Sequence, residues 1–146
     1  MIRKASATDV RFAAELACLL WEGEIDEHIE EFSDLISCGD CAVFIDFDGE
    51  MPIAFAQCQL RHDYVEGTYS SPVGYLEGIF VREEYRRQGR ARALLHACED
   101  WASAQNCTEF ASDCELDNAD SLLFHLKMGF IEANRIICFT KQLAKE

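Results

Sequence analysis

The stretch from Val81 to Ala91 carries the sharpest chemical signal in the chain. A strand-like run ends at Val81, Arg86-Arg87-Gln88-Gly89-Arg90-Ala91 follows, and an amphipathic helix is expected to start at once. Small residues at such a junction let backbone approach closely, and the first amides of a helix have no partner within it. With the helix dipole and nearby guanidinium groups, that terminus suits an anion, phosphate above all. A nucleoside-triphosphate loop would need Lys and Ser or Thr after Gly89, and a dinucleotide fold two more glycines; the sequence has neither. Arg82, Arg86, Arg87, Arg90 and Arg92 place five of thirteen basic residues within eleven positions. In an acidic protein this points to a local anionic ligand, and a solvated helix face balancing Glu83 and Glu84 is the plainer alternative.

Glu77 is the second signal. It sits inside the apolar run Tyr75-Leu76-Glu77-Gly78-Ile79-Phe80, beside a glycine, where a bulge can re-aim a side chain toward a cleft. An idle buried carboxylate is costly, so the position reads as functional; the alternative is a carboxylate on a half-solvated strand. Cys38 and Cys41 form a C-x-x-C, but no second ligand pair follows at matching spacing, and no metal site is expected. The other cysteines lie mostly in apolar runs such as Ala17-Cys18-Leu19 and Ile137-Cys138-Phe139, where Cys packs as a small hydrophobe.

The elements that must position these residues follow from periodicity. Ile2 to Lys4 suggests a short strand, and Thr8 is expected to cap a helix running to about Leu20 through Phe12, Leu16, Leu19 and Leu20. A second helix has Ile25, Ile29, Phe32, Leu35 and Ile36 on one face and carboxylates on the other. Strands are expected at Cys41 to Phe47 and Ile53 to Leu60, joined by a tight turn at Asp48-Gly49, and at Val73 to Val81. Residues 61–72 form a turn-rich loop long enough to carry function. A helix is expected from Gly89 to Ala104 with Asn106 left-handed after it, then a strand at Glu109 to Ser112, a helix at Ala119 to Met128 closed by Gly129, and a last strand at Arg135 to Gln142. The order β-α-α-β-β-β-α-β-α-β implies an α+β fold, an α/β sandwich with a mixed sheet and helices on its faces.

Length and charge bound the rest. The 146 residues suit one domain spanning 1–146, and the 49% apolar content suits a folded one. The longest apolar run, Leu16 to Trp21, is far below the roughly 20 residues of a membrane span. No signal-peptide pattern follows Met1, so no membrane partner and a cytoplasmic, reducing location are expected. A formal charge of −14 repels polyanions, which argues against nucleic acid, and attracts cations.

At this point the residues resemble a known family. Arg86-x-x-Gly89-x-Ala91 after Leu76-Glu77-Gly78-Ile79-Phe80-Val81, with Asn118 and Gly129-Phe130 later, is similar to the acetyl-coenzyme A motifs of the GNAT superfamily of N-acetyltransferases. Arg61-His62-Asp63-Tyr64, Ser70-Ser71-Pro72-Val73 and Ala111-Ser112-Asp113 resemble segments of aminoglycoside 6'-N-acetyltransferases, and the likeness spans almost the whole chain. The resemblance implies a mostly antiparallel GNAT-like sheet with helices on both faces, acetyl-CoA as cosubstrate, a cationic aminoglycoside as substrate and a homodimer. It implies that the main chain at Ile79, Phe80 and Val81 holds the pantetheine arm, and that the amides of Arg87, Gln88, Gly89, Arg90, Ala91 and Arg92 hold the pyrophosphate. Asn118 would contact the cofactor, although it also reads as a helix N-cap, and His125 stands where many members carry a Tyr that protonates the departing thiolate. Glu77 and Asp113 would be the catalytic and substrate-binding carboxylates, Glu77 taking the amine's proton directly or through water. Asp113 also reads as the first acid before a helix. Trp21, Tyr64, Glu24 and Asn134 would complete the substrate contacts; some relatives have His at the position of Glu24 and Glu at that of Asn134. A polyamine or protein acetyltransferase of the same fold, and a non-catalytic coenzyme A-binding module, are the alternative readings.

Overall fold

The computed structural model describes residues 1–144. The chain divides into two units, Met1–Asp113 and Cys114–Glu146. The first holds a five-stranded sheet in the order β1 (Ile2–Lys4), β2 (Cys41–Asp48), β3 (Met51–Arg61), β4 (Val73–Val81) and β5 (Phe110–Ser112). All neighbours are antiparallel except β4 and β5, which run parallel. That parallel step requires a crossover, which α3 (Arg90–Ala104) supplies. The β2–β3 turn falls at Asp48-Gly49, with Gly49 at φ +62°, the left-handed conformation that a tight hairpin needs.

Helices α1 (Val10–Leu20) and α2 (Ile25–Ser37) cover one face of the sheet and α3 the other. Strand alternation sorts the side chains accordingly. Val43, Ile45, Phe47 and Phe55 pack with Leu16, Ala17 and Phe32 under α1 and α2, and Phe32 meets Phe55 edge-on at 5.8 Å. Leu94, Leu95, Cys98 and Ala102 of α3 are buried on the opposite side. There Gly74 lets α3 sit close, because a Cβ at that position would fall 2.6 Å from the Ala102 methyl. Asn106, at φ +67°, ends α3 as its position suggested.

The second unit contains α4 (Ala119–Lys127), with Gly129 at φ +93° just beyond it. Three expectations are corrected. Thr8 does not cap the first helix: Ser6 opens a single 3-10 turn, Ala7–Asp9, and α1 starts only at Val10. The Asp9 carboxylate closes that turn by accepting from the Ser6 amide at 2.9 Å, and Arg3 clamps it with bonds of 2.5 and 2.8 Å. The strand expected at Arg135 to Gln142 does not form among the described residues. Its apolar pattern signals a need for burial, whereas a strand exists only where a ladder partner meets it; here Ile136, Ile137 and Phe139 are exposed. Cys138 is exposed with them rather than packed.

Candidate active site

The site begins with a counting irregularity between β3 and β4. Gln57 pairs with Gly78 and Cys58 with Leu76, so Glu77 is an extra residue with no partner opposite it. In an uninterrupted strand Glu77 would alternate with Gly78 and share the α3 face with Ile79. The bulge instead turns it to the α1/α2 face, where it lines a cleft of about 260 Å³ with Trp21, Glu22, His28, Glu31 and Gln57. The expected re-aiming of a strand carboxylate is what the register shows.

Trp21, the residue after α1, packs its six-membered ring against β4 at Gly78. A Cβ on Gly78 would come 2.4 Å from Trp21 Cζ2, so only glycine beside Glu77 admits the indole there. The ring also meets Phe55 edge-on at 5.8 Å, which fixes it as a wall. Glu77 Oε1 accepts two bonds from Arg61, from Nε at 3.2 Å and from an Nη at 2.8 Å. The same guanidinium lies 3.5 Å over the Tyr75 ring. Tyr75 donates its hydroxyl proton to Asp113; burial, and then this bond, hold the phenol well above its ordinary pKa, so it is a donor throughout the neutral range. Glu77, Arg61, Tyr75 and Asp113 therefore form one connected cluster across β3, β4 and the end of β5.

Tyr64 lies on the surface, 77% exposed, and donates to Glu66 at 3.2 Å. It lines a second, open cleft of about 430 Å³ with Arg61, His62 and Asp63, and Arg61 connects this cleft to Glu77 through its hydrogen bonds. Glu24 is the N-cap of α2, where its amide donates to the Glu27 carboxylate at 3.3 Å, and it does not line the Trp21 cleft. Glu22 and Glu31 occupy the acidic rim instead.

The junction before α3 is built from left-handed residues and helix-entry amides. Arg87 and Gly89 are both left-handed, at φ +63° and +76°, a pattern that gathers successive N–H groups into a concavity. The first bond of α3 joins the Ala93 amide to the Gly89 carbonyl at 3.1 Å, so the amides of Arg90, Ala91 and Arg92 precede its ladder. The arginines divide the labour differently than their clustering suggested. Arg82 donates to the Pro52 carbonyl, Arg86 to the Val81 carbonyl and Arg90 to buried Asp46, so these three brace the loop. Arg87 and Arg92 remain exposed, as does Gln88, whose side chain accepts from Arg90. Alongside, β5 pairs only with Gly74–Leu76, so the outer edge of β4 past Leu76, including Ile79, Phe80 and Val81, has no ladder partner among the described residues.

In the second unit, Asn118 is the N-cap of α4 and accepts from the Ser121 amide at 3.1 Å. His125 Nδ1 donates to the Ser121 carbonyl at 2.7 Å, which fixes its neutral tautomer. Asn134 is exposed and accepts from the amide of Arg135.

A family model described as the Acetyltransferase (GNAT) family matches residues 11–130. The chain belongs to the GNAT acetyltransferase family. Among GNAT relatives it is 43% identical over 129 residues to an aminoglycoside N(6')-acetyltransferase type 1 of Acinetobacter baumannii, covering 88% of each chain. It is 36% identical to the protein of the same name from Acinetobacter haemolyticus, covering 97% of this chain and 98% of that one. Of solved structures, AAC(6')-Iy in complex with the bisubstrate analogue CoA-S-monomethyl-acetylneamine superposes with a TM-score of 0.93 at 35% identity over 98% of both chains. AAC(6')-Ih from Acinetobacter baumannii does so with 0.93 at 39% identity over 99% of both.

Four residues of this GNAT site were not singled out from sequence: Arg61, Tyr75, His28 and Gln57. Gln57 carried a usable signal as the one polar residue within Ile53-Ala54-Phe55-Ala56-Gln57-Cys58, and His28 another, one helical turn before Phe32 on the apolar row of α2. Arg61 stood in a family-like segment but received no role, and Tyr75 carried no signal, since their meeting with Glu77 and Asp113 depends on the β3–β4 register.

Proposed function

We propose that this chain is an aminoglycoside 6'-N-acetyltransferase that moves acetyl from acetyl-CoA to the 6'-amine of cationic aminoglycosides by direct attack, thereby conferring resistance. The observation that carries the reading is the bulged Glu77 beside the Trp21 wall, a carboxylate aimed into an acidic cleft at the strand where the unpaired edge of β4 begins.

Acetyl-CoA, when bound, supplies the thioester. The amides at the start of α3, from Arg87 to Arg92, offer donors for its pyrophosphate and fit that group by number and direction. Main-chain groups of Ile79 to Val81 extend the same edge toward Glu77, and amide donors there can polarise the thioester carbonyl. A protonated amine must lose a proton before it attacks, and Glu77 takes it directly or through one water. Arg61 already donates to Glu77 Oε1 and competes with the substrate ammonium for it, so binding exchanges one cation for another. Asp113, oriented by Tyr75, holds a further ammonium. Asn118 contacts the cofactor in addition to capping α4. His125 already donates through Nδ1, so it protonates the leaving thiolate from Nε2 only as an imidazolium, and water is the alternative acid.

The same reading makes residues 1–146 one acetyltransferase domain, supported by a family match that runs across both units. It includes a homodimer, supported by the exposed apolar segment containing Ile136, Ile137, Phe139 and Leu143. It includes a cytoplasmic location, supported by eight free cysteine thiols. No helix among the described residues is long and apolar enough to cross a membrane.

The test is thiol release from acetyl-CoA with kanamycin or tobramycin, with spermidine and a lysine-containing peptide in parallel. Turnover restricted to the aminoglycosides is expected. Turnover only of spermidine or peptide would overturn the substrate class, and coenzyme A binding without turnover would overturn the enzyme.

A further inference from the structure

The Trp21 cleft contains polar atoms that the proposed chemistry does not use. His28 is 5% exposed and Gln57 6% exposed. Both ring nitrogens of His28 and Oε1 of Gln57 have no hydrogen-bond partner among the described residues. The nearest charged group to the ring, Glu31 Oε2, lies 3.8 Å from Nδ1, beyond hydrogen-bond reach. Buried polar groups are almost always satisfied, and each one that is not destabilises the fold. Three in one cleft, from two different elements, mark a surface built to be completed by something else.

The surroundings hold these groups in place. His28 and Phe32 occupy successive turns on the same row of α2, and Phe32 is locked against Phe55 of β3, two residues before Gln57. Gln57 sits directly opposite Gly78, next to the bulged Glu77. A Cβ at Gly23 would lie 3.1 Å from His28 Nε2, so the glycine leaves the ring room that a side chain there would take. The rim of the cleft carries the carboxylates of Glu22, Glu31 and Glu77, which suit ammonium groups, whereas its inner wall offers an imidazole and a carboxamide. A neutral imidazole offers one donor and one acceptor, and a carboxamide oxygen offers an acceptor. A hydroxyl, which donates and accepts together, satisfies both at once; an alkylammonium cannot accept.

We propose that His28 and Gln57 are specificity-determining residues that recognise hydroxyl groups on the sugar ring carrying the reacting amine. This rests on the aminoglycoside reading and adds to it the means of telling an amino sugar from a plain polyamine. The carboxylates read charge, and the His28–Gln57 wall reads the uncharged part of the ring.

The experiment compares wild type with His28→Phe and Gln57→Met, which keep approximate shape and remove the unsatisfied atoms. KM and kcat are measured for kanamycin B and for its 3',4'-dideoxy derivative, KM for acetyl-CoA serves as control, and Tm is taken without ligands. The expected result is a roughly tenfold rise in KM for kanamycin B with kcat changed less than about threefold, as loss of one or two hydrogen bonds implies. The acetyl-CoA KM should hold, the penalty should shrink for the dideoxy compound, and Tm should equal or exceed wild type because buried unpaired groups have been removed. His28→Gln, which keeps a donor and an acceptor, should recover part of the affinity. An unchanged kanamycin B KM in either variant overturns the inference, as does an equal penalty for both compounds, or a lowered Tm with kcat falling for every amine. Wild-type turnover of spermidine without any amino sugar overturns the underlying reading as well, and that result is read on the unmutated protein.

Discussion

Glu77 and Asp113 are each bonded to a neighbour, and the neighbours differ in kind. Arg61 gives Glu77 a charged partner, and Tyr75 gives Asp113 a neutral one. If Glu77 accepts the proton, Glu77→Gln should lower kcat on the order of 10²-fold or more with a smaller change in aminoglycoside KM. A pH–rate profile checks this: near-full turnover with an unaltered acidic limb would make Glu77 a binding residue only. Asp113→Asn should instead weaken substrate affinity by roughly 1.5–3 kcal/mol, the worth of a hydrogen bond to a charged group, measured by calorimetric titration with a single aminoglycoside. Glu77 was legible in sequence because a carboxylate in an apolar strand next to glycine is locally odd. Its partner was not, because Arg61 is sixteen residues away and is brought opposite by strand register alone.

At the scale of elements, two glycines on β4 are needed for different reasons. Gly74→Ala would drive a methyl into Ala102 and Phe110 and should cost about 1–3 kcal/mol of stability in denaturant unfolding with little effect on KM. Gly78→Ala would drive one into Trp21, and should raise aminoglycoside KM several-fold and shift the indole emission, since the ring can swing toward the cleft while a helix cannot move off the sheet. The start of α1 supplies a pH dependence. Arg3 holds the Asp9 carboxyl down at about 2, so the pair's stabilisation is fully present above the ordinary carboxylate range near pH 4 and is lost as pH falls through 2. Asp9→Asn should flatten the loss of Tm between pH 5 and 2, followed by circular dichroism. The elements themselves were readable wherever the signal was local: amphipathic rows for α1, α2 and α3, Asp48-Gly49 for the hairpin, Asn106 and Gly129 for helix ends. The segment from Arg135 to Gln142 was misread because alternation reports what a stretch would bury and leaves unsaid whether a partner strand exists.

For the molecule as a whole, a formal charge of −14 with carboxylates at the cleft rim should concentrate a polycationic substrate. Aminoglycoside KM should rise steeply as salt goes from about 20 to 300 mM, while KM for acetyl-CoA, an anion met by amides, should stay level or fall. A salt-independent aminoglycoside KM would place the acidic segments away from the path of approach. The bulge at Glu77 has a genetic consequence. Because its side chain reaches the cleft through one surplus residue in β4, the site is encoded by a number of codons as much as by their identity. An in-frame loss of the Gly78 codon would let the ladder close without interruption, leaving a foldable sheet in which Glu77 stands opposite Gln57, in the place where the Trp21 indole now lies. Substitution scanning cannot reach that lesion, whereas a library of single-codon deletions under antibiotic selection would find it.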